Sequence, residues 1–455
     1  MVRSLITRTL ICACLSIQAG ASARAWAQEG SVASAQPVNA VIEWNRTLLT
    51  IVRTPGAQPA TIHSTRNFAI LHGATFDAVN NIAMTFEPYL VRLRDVSRHA
   101  SQVAAADQAA HDVLVCLYPT LKATLDSELQ QDLAEIPDGP DKNEGINVGD
   151  AVAAAILAAR TNDGSGGTPP AFIAGNQPGD YRLTPPNFAA ADFRQWQYVT
   201  PFVLRQADVF RPAPPPPVTS EEYTDVFNEV KNVGFIDSTT RTANQTQIGK
   251  FWNGNIQDFW NEIAQTAAVG HNLDLPRTAH LFALLNFSLA DTTIAFFDAK
   301  YFYNFWRPVT AVRAADTDGN PETSQNPTWL PLSINTAPDP SYPGAHSAVS
   351  AAGAEVLKLE LGERFAFDVT SESLAGVTRH FTSFGEAAQE AGLSRIYAGQ
   401  HFRSDHTAGK ELGRKVARSV FDSVLVPRES PAATGGWATV SQARAASGSL
   451  TVTMY

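Results

Sequence analysis

Residues 280 to 306, HLFALLNFSLADTTIAFFDAKYFYNFW, make a long apolar run that has two places to go, a lipid bilayer or the middle of a protein core. Asp291, Asp298 and Lys300 interrupt it, so it predicts no membrane span but a core helix that continues until Pro308 stops it. At 455 residues the chain is long enough to build a large domain around such a helix. Other segments point the same way. In NFAILHGATFDAVNNIA, Phe68, Leu71, Thr75, Val79 and Ile82 recur at steps of three and four, the period of a buried helix face. His72 and Asp77 on that run read as satisfied polar groups of the core. GINVGDAVAAAILAAR is Ala-rich and helical, and strand signals are nearly absent. The expected fold class is all-α, a large helical bundle domain from about residue 37 to 425.

The helical pattern breaks between about 161 and 218, where TNDGSGGTPP, LTPPNF and RPAPPPPVT accumulate Gly and Pro. Such punctuation cannot be helix and predicts an extended Pro/Gly-rich belt. Thr219 with Glu222 is a capping-box signal that restarts helices after it. The last residues, 426–455, including the small and polar TVSQARAASGSLTVTMY, read as a loosely held C-terminal tail.

At the other end, Arg3 and Arg8 precede a short apolar stretch, Leu10 to Ala19, and Ala25-Trp26-Ala27 fits a small-x-small cleavage site. Residues 1–27 therefore read as a signal peptide, and the mature protein as exported, periplasmic or extracellular. Cys12 and Cys14 leave with it. Cys116, in HDVLVCLYP, is then expected to be a buried small hydrophobe, and no internal disulfide can form. The net charge of −10 argues against nucleic acid or an anionic membrane surface as partner.

Against that acidic background three short stretches stand out. In KYFYNFWRP, Lys300 and Arg307 lie seven residues apart, which on a continuous helix puts both on one face. Either each cation finds a carboxylate, with Asp298 and Asp291 nearby, or both face a shared anion. In DPSYPGAHSAVSAAGAEVLKLELG, a helix from Ser347 to Leu361 ends at Gly362, which sets Pro343, Gly344, Ala345 and His346 at its N-terminus. Backbone N–H groups and the helix dipole there favour an anion, beside an imidazole able to exchange protons. In SRIYAGQHFRSDHTAGKELG, Asp405 can accept a hydrogen bond from His401 and fix its tautomer, while Arg395 adds a planar fork suited to oxyanions. A divalent metal held by His401, Asp405 and His406 is the weaker reading, because Arg395 would repel a cation.

Together, K-x6-R-P, P-x-x-H at a helix start and S-R-x5-H-x3-D resemble the three-part signature of a superfamily that joins vanadium-dependent haloperoxidases to type 2 phosphatidic acid phosphatases and bacterial class A acid phosphatases. Lys300, Arg307 and Pro308 match the first part, Pro343 and His346 the second, and Ser394, Arg395, His401 and Asp405 the third. NFWRPVTAVR, TPPNF and FRPAPPPP extend the likeness to the bacterial haloperoxidase-like branch over residues 67 to 425.

The resemblance implies a vanadate cofactor and neither haem nor a divalent metal. Lys300, Arg307 and Arg395, with the Gly344 and Ala345 backbone, would bind the oxyanion's oxygens. His401 would bond the vanadium, Asp405 would orient its ring, and His346 would serve as acid and base. Trp306 and Phe402 would form a dry wall for halide. The implied activity is halide oxidation by hydrogen peroxide, iodide or bromide before chloride, to a hypohalous acid equivalent that reacts with small organic nucleophiles. The alternative is an acid phosphatase acting through a phosphohistidine at His401. A homo-oligomer is compatible with either. One departure is visible: the family's Ser-Gly before the histidine is Gly344-Ala345 here. The lost hydroxyl predicts weaker oxyanion binding unless water or Ser347 fills the gap.

Overall fold

Asp274 starts the central helix by accepting the Arg277 N–H, and Pro follows in the first turn, where its missing N–H costs nothing. In the computed structural model, which describes residues 39–428 and the backbone of 452–454, this helix runs over Leu275–Tyr303. The leader expected over 1–27, with its cleavage site, and most of the tail expected over 426–455 lie outside the described residues. Among the described residues, Leu275–Tyr303 is the one helix long and apolar enough to cross a membrane, and its most apolar window is wholly buried in the protein.

The N-terminal part comprises α1 (Ala40–Arg53), α2 (Ser64–Ala83), β1 (Val91–Leu93), α3 (Gln102–Leu117), α4 (Lys122–Ala134) and α5 (Pro140–Arg160). After the belt come α6 (Glu221–Val233), α7 (Ala243–Phe251), α8 (Ile256–Gly270) and α9, the central helix. Then follow α10 (Pro308–Arg313), α11 (Ala345–Leu361), β2 (Arg364–Thr370), β3 (Thr378–Ser383), α12 (Phe384–Tyr397), α13 (Arg403–Ser423) and β4 (Val452–Met454). Helices α2, α11 and α13 pack directly on α9, while α3 and α5 pair on the far side of α2. The result is mostly helical, as expected.

Four readings of the sequence are corrected. First, α9 stops at Tyr303, five residues before Pro308, because Asn304 takes the left-handed conformation (φ 48°) and donates its N–H to the Lys300 carbonyl. Asparagine tolerates that conformation better than most residues. Second, α6 is capped by Ser220, one residue after Thr219, through the Tyr223 N–H. Third, β2 and β3 form an antiparallel hairpin with Phe367 opposite Phe381, and β4 pairs with β1, Val91 opposite Met454, in place of a loose end. Fourth, Cys116 is exposed. Helix α3 buries Ala109, Ala110, Val113 and Leu114, and residue 116 turns away from that face.

The charges on the core helix have a structural task. Asp291 accepts the backbone N–H groups of Phe202, Val203 and Leu204 at 2.6, 2.9 and 2.7 Å. Asp298 takes a bidentate pair from Arg211 at 2.7 and 2.8 Å. Both carboxylates thus hold the belt, which is non-helical apart from one short turn at Trp196–Tyr198, and neither is free for Lys300 or Arg307. Asp77 does the same locally for Tyr89, Leu90 and Val91, and His72 bonds Asn45 at 2.8 Å.

Candidate active site

The helix ends meet beside the C-terminus of α9. Helix α13 lies against the start of α11 at two positions where no side chain fits. A Cβ on Gly409 would stand 2.4 Å from the Gly344 carbonyl oxygen, and one on Gly413 would stand 1.9 Å from that of Ala348. The Gly344 N–H donates to the Asp405 carbonyl at 2.9 Å. This contact carries the loop before α11 onto the first turn of α13, and so brings the second and third motifs together.

His401 precedes α13 and is almost wholly buried. Its Nδ1 lies 2.9 Å from Asp405 Oδ2, and its Nε2 lies 3.1 Å from Arg307 Nη1. The guanidinium can only donate, so Nε2 carries the lone pair and Nδ1 the proton that Asp405 accepts. Burial, then Arg307, Lys300 and Arg395, hold the ring well below its ordinary pKa, which keeps it neutral. Asp405 is itself fixed by the Ser341 hydroxyl and by the Phe402 N–H at 3.1 Å. Burial raises it to about 6 against those bonds.

Lys300 and Arg307 converge, although not along one helix face: Lys300 stands on the last turn of α9, and Arg307 at the N-cap of α10. Their shared partner is Asp339, which the sequence reading did not single out. Its Oδ1 lies 3.1 Å from Lys300 Nζ and also accepts from Arg307 Nη2. Asp339 sits in a Pro-rich loop with no periodicity, and no local signal marks it. Burial lowers the Lys300 ammonium to about 8 despite the Asp339 charge. Arg395, on α12, donates to Asn253 at 2.9 Å, and burial followed by Arg307 lowers it to about 10.

His346 and Arg395 face a cleft of 1090 Å³ whose wall also includes Asn253, Asn255, Phe259 and Ser333. The His346 Nε2–H donates to the Trp252 carbonyl at 3.0 Å. Burial, then Arg395, holds it well below the ordinary range, so the ring is neutral near pH 7. The expected dry wall is elsewhere. Trp306 and Phe402 are both 0% exposed and pack with Tyr223 in a separate core cluster, as support beneath the site. Ser394 bonds back to the Ala391 carbonyl inside α12.

His406 points away from His401. Its Nδ1 bonds Ser347 at 2.9 Å, and no cluster of metal-ligating side chains is present among the described residues. Gln389 donates to the other ring nitrogen, so His406 Nδ1–H donates to Ser347 Oγ and leaves the serine hydroxyl proton uncommitted. At Gly344 a Cβ would come within 3.2 Å of the Asp405 carbonyl, a tight fit for any side chain.

A tetrahedral oxyanion fits this donor set. Arg395 Nε is buried without an acceptor in the protein, a costly state that an anion would relieve. No side chain caps the first turn of α11, which leaves its N–H groups and dipole available at Ala345. Asp405→Asn should weaken oxyanion binding about 10- to 100-fold, because a neutral amide oxygen holds the His401 Nδ1 proton less strongly than the carboxylate does. Calorimetric titration with orthovanadate measures it.

Buried cations around a neutral imidazole, at helix ends of a helical bundle, form a donor set suited to an oxyanion. The comparisons with known proteins name the chain's relatives. The description "VCPO second helical-bundle domain" matches residues 280–429. The vanadium chloroperoxidase of Curvularia inaequalis is 26% identical over 303 residues, 50% of this chain and 49% of that protein. The chain thus spans about half the length of that curated relative. A bacterial vanadium-dependent iodoperoxidase superposes with a TM-score of 0.72 at 25% identity, over 86% of this chain and 97% of that one. A bacterial vanadium-dependent chloroperoxidase superposes with a TM-score of 0.66 at 15% identity, over 84% and 97%, a likeness of fold. The chain is thus similar in sequence to a vanadium chloroperoxidase and in fold to bacterial vanadium-dependent haloperoxidases.

Proposed function

We propose that the protein is an exported vanadate-dependent haloperoxidase that uses hydrogen peroxide to oxidise iodide or bromide. The observation that carries this reading is the neutral His401, whose Nε2 lone pair faces Arg307 with Lys300 and Arg395 near enough to depress its pKa. Bound there, vanadate would supply a Lewis-acidic centre that activates peroxide for oxygen transfer to halide. Lys300, Arg307 and Arg395 would hold its oxygens, and Asp405 would keep the His401 proton on Nδ1. His346, neutral at the cleft wall, would accept a proton from peroxide and return it to the departing oxygen. The polar cleft would admit peroxide, halide and small organic nucleophiles. The likeness to an iodoperoxidase over 86% of this chain and 97% of that one supports iodide as the first halide to try. The basic, apolar and small-x-small order of residues 1–27 supports export.

The test is reconstitution. Protein freed of oxyanion and loaded with orthovanadate should oxidise iodide, and bromide more slowly, when peroxide is added. Excess phosphate should suppress that activity by taking the same donors, and chelators of divalent metals should leave it unchanged. Phosphoester hydrolysis by the vanadate-free protein, with no halide oxidation after loading, would assign the site to an acid phosphatase instead.

A further inference from the structure

Every donor of the Lys300 ammonium is already in use. An ammonium has three N–H groups. Here they point at Asp339 Oδ1 at 3.1 Å, the Pro340 carbonyl, and the Ser341 carbonyl at 3.2 Å. Arg307 has few donors to spare. Its Nε donates to the Asp339 carbonyl at 2.8 Å, Nη1 to the Gln400 carbonyl and His401 Nε2 at 3.1 Å each, and Nη2 to Asp339 Oδ1. Two of the three cations expected to hold an oxyanion therefore hold a carboxylate belonging to the protein.

The carbonyls of Pro340, Ser341 and Gln400 are fixed by the backbone. The Asp339 carboxylate is the exchangeable acceptor, since it hangs on rotatable bonds and its side chain is 13% exposed, whereas that of Lys300 is 0% exposed. Burial opposes its charge, but Lys300 and Arg307 outweigh burial and keep it below the usual carboxylate range. It is an anion at working pH.

Resting on the oxyanion-site reading above, we propose that Asp339 is a built-in competitor of the oxyanion, a positioning residue whose carboxylate occupies Lys300 and Arg307 and must yield them when vanadate or phosphate binds. The competitor keeps two buried cations satisfied when no oxyanion is present, and its displacement lowers the affinity of the site. It also sets a selection by charge: a ligand must carry enough negative charge to outcompete a carboxylate at close range. Halide alone does not meet that condition as well as an oxyanion with several oxygens.

The test uses the full mature chain, the Asp339→Asn variant, which keeps the shape and removes the charge, and Asp339→Ser, which removes most of the side chain. Circular dichroism verifies the fold of each. Binding of inorganic phosphate and of orthovanadate is measured by calorimetry, and thermal stability with and without phosphate. The expected result is that both variants bind phosphate at least tenfold more tightly than the unaltered protein. Each should also be less thermostable without phosphate, with the loss recovered when phosphate is added. Equal or weaker phosphate binding by both folded variants, in a protein whose unaltered form does bind, overturns the competitor and makes Asp339 a strut that orients the cations. If no form binds either oxyanion, the oxyanion-site reading falls and the competitor with it.

Discussion

His401→Ala should leave a protein that folds but does not retain vanadate. The imidazole supplies a lone pair at Nε2 and the alanine supplies none. The resemblance assigns that lone pair the one bond from the chain to the vanadium. Arg307 Nη1 also loses an acceptor but keeps the Gln400 carbonyl, and Asp405 keeps its bonds from Ser341 and from the Phe402 N–H. At a vanadate concentration of 100 times the dissociation constant, the unaltered protein should gain about 2.7 kcal/mol of stability. The variant should show almost none of that gain in a thermal denaturation series, and no halide oxidation at the same concentration. A variant that is still stabilised by vanadate to the same extent would show that the cations alone hold the oxyanion.

His346→Ala has a different expected signature. The ring lies at the cleft wall, with its Nε2 proton on the Trp252 carbonyl, and makes no hydrogen bond to Lys300, Arg307, Asp339 or His401. Removing it leaves the cations, the start of α11 and the His401 lone pair in place, so vanadate should still bind. Turnover should fall by about 10²–10⁴, the range for loss of a general acid or base. Its neutral state near pH 7 means that it acts first as an acceptor of the peroxide proton, and the activity that depends on it should fade as acid protonates the ring. Calorimetry beside turnover separates the two histidines. Should His346→Ala lose vanadate while His401→Ala keeps it, their roles are the reverse of those argued here.

The positions that converge on the site could be named from the chain because they lie in three short motifs, each beside a helix end with its own capping or breaking signal. What could not be read was how they are joined. The sequence offered Asp291 and Asp298 as partners for Lys300 and Arg307 because they are close along the chain. The fold ties those carboxylates to the belt and brings Asp339 across instead. That choice is made by the packing of α10 and the loop before α11 against the end of α9, and no local pattern records it. The hairpin is a different kind of omission. Phe365, Phe367 and Val369 alternate as a half-buried strand should, but the run is short and follows directly on a helix. Strand β4 pairs with residues more than three hundred positions earlier, and only the closed fold supplies its partner. Cys116 was misplaced because residue type was weighed above helical phase.

The belt is fastened to the central helix at Asp291 and Asp298, yet its residues Thr184, Pro185, Pro186, Asn187 and Ala189 reach the rim of the cleft. The stretch lies between two anchors on the site's own segments: the Tyr181 N–H donates to the Asn304 carbonyl on one side, and the Asp192 N–H donates to the Pro338 carbonyl on the other. A lineage can rewrite the stretch from 184 to 189, by insertion or exchange, without loosening any bond of the cradle. Diversity of acceptors among descendants of such a chain should accordingly accumulate in that stretch, while the chemistry beneath it stays as inherited.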